Sequence, residues 1–126
     1  MQDNPHPDEL ISAVASFLRQ GLATPSPHAL FTARVAANSL DICARELRLA
    51  PKTDAEEHTR LTALLGRDGD LAELNRQLCA KIASGEMDLA TPGLVEHLWA
   101  ATLAKLEVDQ PNYASYRRAL ALRGQS

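Results

Sequence analysis

A chain of 126 residues with a formal net charge of −3 fits one ordinary domain, long enough to enclose a core and too short for two cores of independent stability. Its 21 alanines and 20 leucines, set against only 7 valines and isoleucines, favour helices over sheets, because strands prefer β-branched residues. The negative balance opposes the counterion-releasing phosphate contacts of nucleic-acid binding, and the basic cluster Arg117, Arg118 and Arg123 reads as a solvated tail.

Cys43 and Cys79 fall in helix-like segments without metal-ligand spacing, and two cysteines cannot form the framework of a disulfide-stapled secreted domain. Both read as small buried hydrophobes. The stretch Met1 to Glu9 has neither a basic nor an apolar signal region. The longest charge-free run near Trp99, Leu98 to Ala104, is far below the ~20 apolar residues that span a bilayer. A cytoplasmic location and no membrane partner are the expectation.

The first helix is predicted from about Pro7 to Gln20, where Leu10, Ile11, Val14, Phe17 and Leu18 repeat at helical spacing and Gly21 is the stop. A breaker-rich loop, Ala23 to His28, follows, with Ser26 and Pro27 able to begin the next element. The second helix is predicted over Leu30 to Leu49, ending before Pro51. A third begins at Thr53, which with Glu56 forms a capping box, and stops at Gly66. Gly66 to Asp70 is a tight turn, after which Asp70 caps a fourth helix whose inward face is Leu71, Leu74, Leu78 and Ile82. Ser84-Gly85 closes it. Thr91 and Pro92 open a fifth helix with an inward stripe of Val95, Trp99, Thr102, Leu103 and Leu106, ended by Asp109-Gln110-Pro111. Tyr113, Tyr116 and Leu120 suit a short tail helix.

On a wheel of 3.6 residues per turn, the second helix is apolar on two sides. Ala33, Ala36, Ala37, Leu40, Cys43, Ala44 and Leu47 share one face, whose small side chains suit close helix approach and read as core. Phe31, Val35, Asn38, Ile42, Arg45 and Leu49, spaced alternately by four and three, form a heptad-like seam on the other. Such a helix is either central in the bundle or offers its second seam to a partner. Asn38 within that seam needs a hydrogen-bond partner if buried, with Arg45 a candidate neighbour and Glu46 flanking.

Familiar chemistries find no footing. His6, His28, His58 and His97 form no HExxH pair, and His97 is expected to be exposed. The Gly66 to Gly69 segment lacks a P-loop pattern and a preceding strand, and Asp68 and Asp70 lack the calcium-loop ligand series. No serine sits in a GxSxG elbow. Glu56 and Glu57 are placed in the first turn of the third helix, where its dipole favours negative charge. No catalytic residue, cofactor site or metal site is assigned.

Phe31 to Leu40, Ala44-Arg45-Glu46-Leu47, Gly69 to Asn75 and Leu103 to Tyr113 together resemble an uncharacterised family of small bacterial helical domains, over nearly the whole chain. Members of that family tend to be encoded beside aminoglycoside-phosphotransferase-like kinases and acyl-CoA dehydrogenase-like enzymes. The resemblance implies an accessory context and transfers no residue roles.

The fold expected is therefore a single all-α domain, a compact bundle of about five helices and a short C-terminal one, with 1–6 and 121–126 as flexible ends. Its core is placed at Leu40, Leu47, Leu74, Leu78, Val95, Trp99 and Leu106. The function expected is a non-catalytic accessory or protein-interaction module. Phe31, Val35, Asn38, Ile42 and Leu49 would face a second copy or a partner enzyme. The alternative is a bundle that binds an anionic or phosphorylated small molecule through Arg34, Asn38, Arg45 and Glu46.

Overall fold

The structure, a computed structural model, describes residues 26–124, together with Pro5, Pro7, Glu9 to Ile11, Ala13, Val14 and Phe17. The other positions of the first predicted helix, its stop at Gly21 and the loop as far as Pro25 lie outside the described residues. Among the described residues every regular element is helical: α1 (Pro27–Leu65), α2 (Leu71–Ala83), α3 (Leu94–Asp109) and α4 (Ala114–Arg123). Helical backbone at the described positions from Pro7 to Phe17 adds one near the N-terminus. The fold is all-α with about five helices, as the composition requires. Contacts divide the chain into two compact units, Gln2–Leu49 and Ala50–Ser126, and the division falls inside α1.

Helix α1 corrects the sequence reading, since the second and third predicted helices are one element of 39 residues with Pro51 in its interior. Proline has no N–H to offer Leu47 and costs an interior helix about 3 kcal/mol, yet its fixed φ is already helical. Strong helix formers flank it, with Arg45, Glu46 and Leu47 before and Ala55 to Glu57 after, so propagation continues. The capping box is not used: the Thr53 hydroxyl donates back to the Ala50 carbonyl at 3.3 Å, and Glu56 pairs with Lys52. Glu57 accordingly sits mid-helix and not in a first turn.

In the unit Gln2–Leu49, Ser26 and Pro27 do begin α1, the Ser26 hydroxyl accepting from the Ala29 amide at 3.1 Å. Thr32, Val35 and Ala36 line a groove with Leu10, Val14 and Phe17 of the N-terminal helical stretch. Cys43 is buried, its thiol donating to the Pro7 carbonyl at 3.5 Å. The inward stripe is thus Thr32, Ala36, Ser39 and Cys43, which shares only Ala36 and Cys43 with the face read as core. Leu40 and Leu47, expected in the core, lie off this stripe and are exposed, Leu47 by 68%.

The unit Ala50–Ser126 has a core of Leu61, Leu74, Leu78 and Leu94, with Leu64, Leu65, Leu71 and Met87 packed around it. Asp70 caps α2 as expected, its carboxylate accepting from the Glu73 amide at 2.8 Å. The turn before it is pinned from α1, where His58 Nε2 lies 2.9 Å from the Gly69 carbonyl and 3.1 Å from the Asp68 carboxylate. Cys79, expected buried, is exposed.

Helix α3 starts later than expected, at Leu94, because Thr91, Pro92 and Gly93 form the preceding turn and Gly93 takes a left-handed φ of 83°. It buries Leu94, His97, Leu103 and Val108, whereas Val95 and Trp99 are exposed, Trp99 by 51%. Of the expected core, Leu74 and Leu78 are buried and Leu106 is half-buried, but Leu40, Leu47, Val95 and Trp99 face outward. The correction on α3 has a plain cause. The inward stripe of buried Leu94, His97 and Val108 with half-buried Ala101 and Ala104 repeats by three and four but is small and partly polar, so side-chain size pointed to the wrong face. Helix α4 packs on α3 and buries Tyr116.

Candidate functional site

The residues singled out on α1 differ in exposure. Phe31, Arg34, Val35 and Asn38 are exposed, while Ile42, Arg45, Glu46 and Leu49 are half-buried. Of these, only Val35 lines the groove against the N-terminal stretch. Asn38 is therefore a surface amide, and burial no longer demands a partner for it. Nearby, burial pushes the Cys43 thiol up and the Glu46 carboxylate adds to that shift, so the thiol stays protonated and a poor nucleophile.

The chemistry-bearing cluster lies instead in the unit Ala50–Ser126, on residues given no role by the sequence reading. Glu57 from α1, Asn75 from α2 and His97 from α3 are all buried. Leu61, one turn beyond Glu57 on α1, and Leu74, beside Asn75, are core residues, and their packing carries the two polar side chains inward. Asn75 Nδ2 donates to Glu57 Oε1 at 2.7 Å and also to the Leu71 carbonyl at 3.0 Å. Burial opposes ionisation of Glu57, but the hydrogen bond from the Asn75 amide works against it, and the carboxyl is held below the ordinary glutamate value.

His97, expected to be exposed, is only 2% exposed, and its Nδ1 has no hydrogen-bond partner. Burial lowers its pKa first, the Arg60 guanidinium lowers it further, and Glu57 partly opposes both. The imidazole is therefore neutral near pH 7. Arg60 Nε is likewise buried without a partner. Arg60 and His97 line one cleft of about 330 Å³, with Ala63 and Leu64 of α1 and Pro92, Gly93 and Glu96 around the start of α3. The signal for this site was present in the sequence: His97 falls in register with Leu94, Ala101 and Val108, a spacing that turns it inward.

The family model described as a domain of unknown function, DUF6285, matches residues 10–113. That span takes in all of α1, α2 and α3 and every residue of the buried cluster. The chain belongs to the DUF6285 family. No curated protein and no solved structure gives a match to it. In this DUF6285 domain, no group of three or more His, Cys, Asp or Glu among the described residues is placed to hold a metal ion. No helix among them is long and apolar enough to cross a membrane.

Proposed function

We propose that this domain is a non-catalytic accessory module that docks another protein through the outer side of the first half of α1. One observation carries the reading: Phe31 and Val35, one helical turn apart, are 64% and 47% exposed, with Leu30 exposed beside them. An aromatic ring held in water beside two further exposed apolar side chains on a regular helix forms an apolar patch of the kind that marks protein interfaces. Arg34 and Asn38, exposed on the same helix, supply a polar rim.

The partner is a second copy of the chain or, as the family resemblance implies, a small-molecule kinase or an acyl-CoA dehydrogenase-like enzyme. The domain acts in the cytoplasm, without binding nucleic acid or membrane. Light scattering of the purified chain, alone and mixed with each enzyme encoded beside it, tests this. A dimer or a complex is expected, and Phe31→Glu, at an exposed site, should weaken it at least about tenfold while leaving a folded monomer. A wild-type monomer that binds neither enzyme would overturn the reading.

A further inference from the structure

We infer that the cleft between α1 and the start of α3 is a binding site for a small organic monocarboxylate. Arg60 pairs with the carboxylate, and His97 supplies a hydrogen bond from the cleft wall. The site goes beyond the docking role of α1 and does not depend on it.

Two polar groups in the cleft have unused hydrogen-bonding capacity, and they come from different helices. Arg60 Nε and His97 Nδ1 are both buried without partners. In native proteins such atoms are paired in the great majority of cases, so two on one cleft point to a ligand that completes them. His97 is only 2% exposed and belongs to the lining of that cleft. The neutral imidazole can donate or accept at Nδ1 according to tautomer, whereas the guanidinium only donates, so the ligand must present acceptors to Arg60.

Size and charge narrow the class. A cleft of about 330 Å³ lies at the small end of ligand pockets, which run from about 300 to 1,000 Å³. Ala63, Leu64 and Pro92 form its apolar wall and suit a short hydrocarbon or ring. The cleft lining carries one cation, Arg60, and one anion, Glu96, and the buried Glu57 carboxylate lies one turn from Arg60 on α1. A dianionic phosphate would meet two carboxylates with a single guanidinium to offset them. A singly charged carboxylate matches that guanidinium in both charge and fork geometry.

The test is a chemical-shift titration of the ¹⁵N-labelled full chain with sodium propionate, sodium benzoate and inorganic phosphate. Saturating shifts are expected with the carboxylates at the Leu64, Gly93 and Glu96 amides and on the His97 ring. Arg60→Met, which keeps the aliphatic stem, should weaken benzoate binding at least about tenfold. Ala63→Phe, which fills the cleft from an exposed position, should abolish it with the remaining amide spectrum unchanged. Shifts that grow linearly without saturation, or that both variants leave intact, would overturn the site. Should Arg60→Met not fold, Ala63→Phe alone decides. Phosphate binding more tightly than either carboxylate would overturn the ligand class.

Discussion

The side-chain amide of Asn75 on α2 donates to the carboxylate of Glu57 on α1 over 2.7 Å, with both residues buried. It ties α1 to α2 within the unit Ala50–Ser126, and removing its donor takes a hydrogen bond away from a buried carboxylate.

Asn75→Leu is therefore expected to destabilise the chain by about 1–3 kcal/mol at pH 7, measured by urea unfolding. Acid should reveal the same tie. Because the folded-state pKa of Glu57 is lowered, its stabilisation is complete above the ordinary value of 4.5 and is lost as the pH falls through the lower folded value. Wild type should lose stability below pH 4.5 more steeply than Glu57→Gln. Parallel curves for the two proteins would show that the carboxylate is not held in this way.

His97 titrates in a separate window. Its folded pKa is depressed below 6.5, so the unfolded chain takes up the proton first and stability declines as the pH drops from 6.5 toward the folded value. The ring resonance of His97, followed by NMR, should titrate below 6.5. His97→Leu should remove that part of the pH dependence and, by deleting an unpaired buried nitrogen, should raise stability at pH 7 by about 1 kcal/mol.

Two leucines at similar helical positions are expected to behave differently. Leu74 is fully buried among Leu61, Leu78 and Leu94, and Leu74→Ala should cost about 2–5 kcal/mol through lost burial and a cavity. Leu47 is exposed, and Leu47→Ala should change stability by less than about 0.5 kcal/mol. Denaturant midpoints for the pair would locate the core in solution, and equal losses would contradict it.

Pro51→Ala should stabilise the chain by about 1–3 kcal/mol, because alanine restores the amide that Leu47 lacks and removes the ring from the α1 interior. A rise in the melting temperature together with a gain in helical ellipticity would be the signature. A fall would mean that Pro51 marks a break the helix needs.

Local chemistry sufficed for much of the architecture. The scarcity of β-branched residues made the chain helical, Ser26 with Pro27 opened α1, and Asp70 capped α2, since each acts within about one turn of its own backbone. The apolar seam that holds Phe31 and Val35 could likewise be read from spacing, but its exposure at those two positions could not, and its Asn38 turned out to be a surface amide. Other features waited on packing. Whether a helix passes through Pro51 depends on what its far half buries, and Leu61 and Leu64 are drawn into the leucine core that α2 and α3 complete. Which stripe of α3 turns inward was settled by those same neighbours, which accept Leu94 and His97 and leave the larger Trp99 in water. Glu57 and Asn75 lie 18 residues apart on separate helices, so only tertiary contact brings them together. Burial is a property of the assembled surfaces and not of any one segment, which is why the most polar part of the core was invisible to periodicity ranked by side-chain size.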